Sequence, residues 1–288
     1  MTDVSVIIPA FRAEPFIARS VGSVLAQNHS LFEIIVVSDD AQDYRSILTA
    51  QGINDPRLRF ASTGKTGAGP GAARNAGLTA AQYHIIANLD ADDAWSDNYL
   101  AAMAPIAFQY GACTSTVRVI DAASGIIAGS SPYTPTNDRA LSMRDCIRYC
   151  PTYAPIVFNR RDCNVRWPEL HYGEDTLFWL LLLDILPSIR FVTNARYDYY
   201  MIAGSLSRPD EEDTHEQCNR RNRMIEWLDQ HAPPGCNLEN RDFMKRWASA
   251  CNGLEEYFGY RLAELNVYLD ELNRRMDALF GDDREKHV

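Results

Sequence analysis

Val4-Ser5-Val6-Ile7-Ile8-Pro9 is a short apolar run closed by proline, and it reads as a buried strand. The segments after it set the fold. Glu14 to Gln27 spaces Phe16, Ile17, Val21, Val24 and Leu25 as one face of a helix. Phe32 to Val37 is a second buried strand, Tyr44 to Ala50 a helix, and Leu58 to Ala61 a short third strand. Gly71 to Ala81 is an alanine-rich helix entered through glycines, and His84 to Leu89 is a fourth strand. This alternation predicts an α/β fold with parallel strands and helices on both faces of the sheet. Ligands of such sheets bind at the carboxyl ends of the strands. Here those ends are Pro9-Ala10-Phe11, Ser38-Asp39-Asp40 and Asp90-Ala91-Asp92-Asp93.

Beyond residue 100 the pattern loosens. Ala112 to Ile120, Gly125 to Ala128 and Ile156 to Phe158 read as strands, and Leu141 to Cys150 as a helix. Asp175 to Leu186 is a strongly apolar helix stopped by Pro187, and Phe191–Thr193 and Tyr197–Tyr200 read as edge strands. The polar stretch Ser205 to Asp213 contains Pro209 and reads as a boundary. After it, Phe243, Trp247, Cys251, Leu254, Phe258 and Leu262 step by threes and fours as far as Leu279. Asn240 and Gly281 are placed to cap this helix. A helix from Arg241 to Phe280 would be about 60 Å long, more than a small domain is wide. It is expected either to break near Gly253 or Gly259, or to cover its stripe in a homodimer.

The 288 residues carry 38 Asp+Glu against 28 Lys+Arg, a net charge of −10. Residues 209–288 hold 18 of the acids and 11 of the bases, so most of the excess lies in the tail. With three lysines and no basic run, the chain is a poor binder of nucleic acid. Seven scattered cysteines without a C-x-x-C suggest reduced thiols and a cytoplasmic protein. The first residues lack a signal-peptide pattern, and Leu177 to Leu183 is far shorter than the ~20 residues of a membrane span. No integral membrane segment is expected; peripheral contact with the inner face of a membrane stays open.

Three segments could carry chemistry. Asp90, Asp92 and Asp93 crowd like charge at a strand end, which is costly unless a cation sits among them, and carboxylates favour Mg²⁺ or Mn²⁺. A polar loop capping the next helix would look the same. Ser38-Asp39-Asp40 offers acceptors for a base or ribose, or an Asx turn. Gly173-Glu174-Asp175 opens the most apolar helix, either as dipole partners or with one carboxylate as a general base. Gly64-Lys65-Thr66 is not a P-loop, since Arg59 stands where its first glycine belongs. Gly67-x-Gly69-x-x-Ala72 fits a relaxed dinucleotide fingerprint but follows the third strand rather than the first. No histidine spacing suits zinc.

Together these segments resemble the family 2 inverting glycosyltransferases, which have the GT-A fold. The likeness rests on Val4 to Phe11, Ser38-Asp39, Gly71-Ala72-Ala73-Arg74-Asn75-Ala76-Gly77, Leu89 to Asp93, Gly173-Glu174-Asp175 and Gly204-Ser205-Leu206-Ser207. It implies a Rossmann-like mixed, mostly parallel sheet flanked by helices, with a C-terminal helical extension. Residues 1–208 would form the GT-A domain, 1–98 its nucleotide-binding half and 99–208 its acceptor half, with 209–288 as the extension.

By the same resemblance, Asp39 would contact the nucleobase, taken to be uracil, and Arg74 the base or phosphates. Asp90 would hold ribose or sugar. Pro9, Ala10, Phe11, Gly71, Asn75 and Ala91 would complete the nucleotide-sugar site, with Ser205 and Arg208 in the loop closing over the diphosphate. Asp92 and Asp93 would hold Mn²⁺ or Mg²⁺, and Asp175, beside Glu174, would be the catalytic base. The implied activity is metal-dependent, inverting transfer of one hexose-type sugar from a UDP-sugar to a hydroxyl of a saccharide or glycolipid acceptor, in surface polysaccharide or glycolipid synthesis. Two departures stand out: Asp40-Ala41 replaces the usual Gly-Ser, and Met201 stands where many relatives have arginine. The competing readings are a dinucleotide-binding oxidoreductase and a non-catalytic member whose tail builds an oligomer.

Overall fold

The structure, a computed structural model, describes residues 2–129, 135–149, 154–202, 214–231 and 236–258, with Glu271, Arg274, Arg275 and Ala278 beyond them. It falls into two compact units, Met1–Tyr200 and Met201–Val288.

The first unit is built on one sheet, with ten strands among the described residues. Its first half is the alternation expected: β1 (Val4–Ala10), α1 (Ile17–Leu25), β2 (Phe32–Ser38), α2 (Tyr44–Ala50), β3 (Leu58–Ser62), α3 (Pro70–Ala80) and β4 (Ile85–Asn88). The strands lie side by side as β3-β2-β1-β4, all parallel, with Ile7 of β1 paired to Ile35 of β2 and Asn88 of β4. Every residue of β2 is buried, and apart from Glu33 and the terminal Ser38 it is an apolar run. Its one acid, Glu33, accepts from the Ser5 hydroxyl (2.6 Å), the Gln82 amide (2.6 Å) and Arg59 Nη1 (2.5 Å). A buried carboxylate is tolerated when paired in this way, and here it ties the end of α3 to the sheet. Helix α3 packs on β1 and β2 so closely that a Cβ on Gly77 would lie 2.4 Å from Ile7 Cγ2.

The second half of the sheet is antiparallel, so parallel order stops at β4. It comprises β5 (Ala94–Trp95), α4 (Tyr99–Tyr110), β6 (Ala112–Asp121), β7 (Ile127–Gly129), β8 (Arg139–Leu141), α5 (Met143–Tyr149), β9 (Val157–Asn159), α6 (Glu174–Leu183) and β10 (Ile189–Met201). Strand β9 runs antiparallel to both β4 and β6, and β10 runs antiparallel to β5 and β8. One expectation changes. Phe191–Thr193 and Tyr197–Tyr200 are parts of the one long strand β10. The polar break between them is absorbed locally: Thr193 donates its N–H (2.8 Å) and hydroxyl (2.6 Å) to Asp138, and the Asn194 carbonyl accepts from Asn98 (2.5 Å). Helix α4 also forms despite Pro105 inside it. Pro105 and the residue a turn earlier, Ala101, are both exposed, so the carbonyl that proline leaves unpaired is not trapped in the core.

The second unit contains α7 (Thr214–Gln230) and α8 (Leu238–Phe258), which pack on each other. Met224 and Leu228 of α7 and Phe243, Met244, Ala248 and Cys251 of α8 are buried. Arg241 Nη1 donates to the His231 carbonyl (3.2 Å), and Lys245 pairs with Asp229. The break proposed near Gly253 is absent, because α8 continues through it. Gly259, Gly281, most of the stripe beyond Phe258 and the boundary at 208/209 lie outside the described residues. Among the described residues no helix is long and apolar enough to cross a membrane.

Candidate active site

The acids of the first unit meet at the carboxyl edge of its parallel strands. Asp90 follows β4, and Glu174 and Asp175 open α6, with Glu174 one hundred residues beyond Arg74 in chain order. Arg74 of α3 joins them. Its Nη2 donates to Asp90 Oδ1 (2.7 Å) and its Nη1 to Glu174 Oε1 (2.5 Å). The guanidinium is buried, and burial opposes its charge, but Asp90, Glu174 and Asp175 outweigh that and keep it protonated. Burial and the adjacent Asp175 push the Glu174 carboxyl up, with Arg74 opposing. The Asp175 carboxyl is also raised by burial, against the pull of Arg74. The two differ in commitments. Glu174 Oε1 is spent on Arg74. Asp175 is half-buried, and its Oδ1 accepts from Thr176 N–H (2.7 Å), while no bond from the described residues fixes Oδ2. Glu174 Oε2 is likewise without a bond from the described residues, but Glu174 is 6% exposed, so Asp175 is the more open of the two to a ligand.

The acidic turn is held by groups the sequence did not point to. Arg19 of α1 donates to the Asp92 carbonyl, and its guanidinium lies 3.6 Å from the centre of the Tyr200 ring. Tyr197 accepts from the Asp90 N–H (3.2 Å) and donates to Asp93 Oδ2 (2.7 Å), while Tyr200 N–H donates to Asp93 Oδ1 (2.7 Å). Nothing in the spacing of α1 marks Arg19. In the sequence Tyr197 shows only as the start of a run read as an edge strand. Asp93, one of the two residues expected to hold a metal, is 1% exposed, and both its oxygens accept bonds that fix the turn. Burial, then the charge of Asp90, pushes the Asp92 carboxyl up to about 6. No side chain among the described residues pairs with it. That is the state expected of a carboxylate suited to a cation. Among the described residues there is no cluster of three ligating side chains. Asp92 therefore fits an Mg²⁺ or Mn²⁺ that takes its other ligands from substrate phosphates and water.

Several residues expected to contact a ligand have partners within the fold. Asp39 is 3% exposed, and its carboxylate accepts from the Thr63 hydroxyl (2.7 Å), Ala68 N–H (3.0 Å) and Gly69 N–H (2.9 Å). It pins the glycine-rich loop after β3, which takes three of the roughly four acceptor sites of the carboxylate. Gly69, at φ +100°, supplies the backbone that lets this loop turn into α3. Asn75 is also buried, with both ends of its amide on the Trp167 backbone. Gly71 abuts the Pro168 carbonyl rather than an open site. Ala10 and Ala91 are buried, Pro9 is partly so, and Phe11 is exposed at the end of β1. Ser205 and Arg208 lie outside the described residues. The substitution at Asp40-Ala41 has its own geometry. Ala41 sits at φ +61°, and Asp40 Oδ2 accepts from Arg12 N–H (2.6 Å) and the Tyr44 hydroxyl (2.9 Å), tying the β1–α1 turn to α2.

A sheet parallel over β3-β2-β1-β4 and antiparallel beyond, with an acidic turn after β4 and two more acids opening α6, is the layout of a GT-A-type glycosyltransferase. The chain belongs to glycosyl transferase family 2, whose sequence model matches residues 5–168. It is 30% identical over 187 residues to the UDP-Glc:alpha-D-GlcNAc-diphosphoundecaprenol beta-1,3-glucosyltransferase WfgD of Escherichia coli, covering 62% of this chain and 69% of WfgD. It is 30% identical over 209 residues to TuaG of Bacillus subtilis strain 168, named for teichuronic acid biosynthesis, covering 71% of this chain and 81% of TuaG. The crystal structure of S. aureus TarS 1–349 in complex with UDP-GlcNAc has a TM-score of 0.68, with 18% identity over 96% of this chain and 84% of that one. That likeness shows the GT-A-type fold. The family also disposes of the dinucleotide reading, whose fingerprint loop is here bound to Asp39 through Gly69 N–H.

Proposed function

We propose that this glycosyltransferase moves one sugar from a nucleoside diphosphate sugar, carried by UDP, to a hydroxyl acceptor with inversion at the anomeric carbon. The observation that carries the reading is Arg74, which joins Asp90 to Glu174 and so holds the adjacent Asp175, with Oδ2 unbonded, near the acidic turn. A sugar hydroxyl is a weak nucleophile. As its oxygen attacks the anomeric carbon, its proton passes to the Asp175 carboxylate. The bond from that carbon to the diphosphate oxygen breaks, and the nucleoside diphosphate leaves. One displacement needs no covalent enzyme intermediate. Asp92 would hold Mg²⁺ or Mn²⁺ against the diphosphate, where such an ion supplies neutralising charge to the leaving group. Phe11, exposed at the end of β1, offers a ring face to the base.

The names of WfgD and TuaG support a saccharide or lipid-linked saccharide as acceptor. An acceptor on a lipid would bring the protein to the inner face of a membrane as a peripheral enzyme of the cytoplasm. The test is a thermal-shift panel of nucleotide sugars with and without Mn²⁺ or Mg²⁺, followed by UDP-release assays. Stabilisation by UDP compounds that depends on the cation supports the proposal. Stabilisation by NADH, with none from any nucleotide sugar, overturns it.

A further inference from the structure

The helix read from sequence as a nucleotide contact also reaches the segment before α6. Asn75 Nδ2 donates to the Trp167 carbonyl (2.9 Å), and Trp167 N–H donates to Asn75 Oδ1 (2.9 Å). One side chain thus takes both backbone groups of a residue 92 positions away. The start of α3 meets the same segment again: a Cβ on Gly71 would lie 2.1 Å from the Pro168 carbonyl oxygen, and one on Gly69 would lie 3.1 Å from His171 Nδ1. The Trp167 ring is then stacked on Phe178 of α6, centroids 3.9 Å apart and planes 5° from parallel. Phe178 is three residues beyond Asp175, on the same side of the first turns of α6. The chain of contacts runs from Asn75 to the Trp167 backbone, from its ring to Phe178, and from there to the turn that bears Asp175.

We infer that Asn75 is a positioning residue for the base: it fixes Trp167, and through Trp167 and Phe178 it fixes where α6 presents the Asp175 carboxylate. This rests on Asp175 being the base. Both ends of the buried Asn75 amide are taken by the Trp167 backbone, so its removal should act on turnover and leave donor binding alone. A misplacement of about 1 Å in a reacting group lowers rates by up to roughly 100-fold.

The experiment compares the full chain with Asn75→Ala, Gly71→Ala and Asp175→Asn, measuring kcat and KM for a turned-over UDP-sugar, and UDP affinity by calorimetry. Gly71→Ala perturbs the same junction by adding an atom rather than removing bonds, so the inference stays testable should Asn75→Ala fold poorly. Expected for both junction variants is a kcat lower by roughly 10- to 100-fold with UDP affinity within about twofold of wild type. UDP affinity falling in step with kcat, or kcat unchanged in a folded variant, overturns the inference. Loss of turnover in Asp175→Asn beside normal kcat in the junction variants refutes positioning alone. Normal turnover in Asp175→Asn refutes the base reading itself.

Discussion

Arg74→Met removes the cation that three carboxylates share and keeps most of the side-chain volume. The Arg74 side chain is 4% exposed, its partner Glu174 8% and Asp90 25%. Asp90 can turn to water, so its loss is small. Glu174 cannot, and stranding one member of a buried pair costs about 3–5 kcal/mol. The Glu174 carboxyl is already pushed up by burial and by Asp175. Without Arg74 it would take up a proton near neutral pH, which holds the cost to about 3 kcal/mol, the low end of that range. For a unit spanning residues 1–200, this is a fall in Tm of roughly 6–12 °C. Urea unfolding of Arg74→Met and of Arg74→Met/Glu174→Gln measures it. The double variant should recover stability, because a neutral amide replaces the stranded carboxylate. An Arg74→Met stability within about 1 kcal/mol of wild type, or a double variant no more stable than the single, would show that no charge is stranded.

Other consequences are equally open to measurement. Asp39→Asn sets an amide N–H₂ against the loop N–H donors, so it should cost about 1–3 kcal/mol and speed amide exchange at Ala68 and Gly69. Unchanged exchange there would contradict the pin. Burial pushes the Asp40 carboxyl up from its usual 3.8, but bonds from Arg12 N–H, the Tyr44 hydroxyl and Gln42 N–H outweigh it and set it lower. Its contribution to stability is therefore full above 3.8 and lost as pH falls through the lowered value. Denaturant titrations should show Asp40→Asn losing less stability than wild type on acidification across that window. Asp92 runs the other way. Its carboxyl is raised from 3.8 to about 6, so stability present below 3.8 declines as pH rises through about 6. Asp92→Asn should be the more stable protein near neutral pH without added ions, and Mn²⁺ should raise the Tm of wild type only. A Mn²⁺ shift of equal size in both would remove Asp92 from the cation site.

The parallel half of the fold was legible because each strand is a continuous apolar run between helices of ordinary period. Of the antiparallel half, β6, β7, β9 and both ends of β10 show as apolar runs, whereas β5, with two residues, and β8, with three, are too short for a period to show. Helix α4 hid behind Pro105, and α7 behind a polar surface on which Met224 and Leu228 are buried. At the site, acids at strand ends and at a helix start stood out because burial makes them expensive. The direction in which a motif faces did not. Gly71, Arg74 and Asn75 belong to one helical stretch, yet their contacts run to Pro168, to Asp90 and Glu174, and to Trp167. No pattern within α3 announces partners that lie near residue 170. Arg19 and Tyr197 were hidden for the same reason, since only the folded sheet carries them to the acidic turn.

The mechanism stands on Asp175 taking the proton of the acceptor hydroxyl, and Asp175→Asn isolates that step. The amide keeps the shape and an acceptor for Thr176 N–H but removes the base. Turnover of a UDP-sugar and calorimetric UDP affinity, measured on the same preparation, give the answer. Base catalysis by Asp175 predicts UDP affinity within about twofold of wild type and turnover lower by at least about 100-fold. Turnover at the wild-type rate in Asp175→Asn would contradict it.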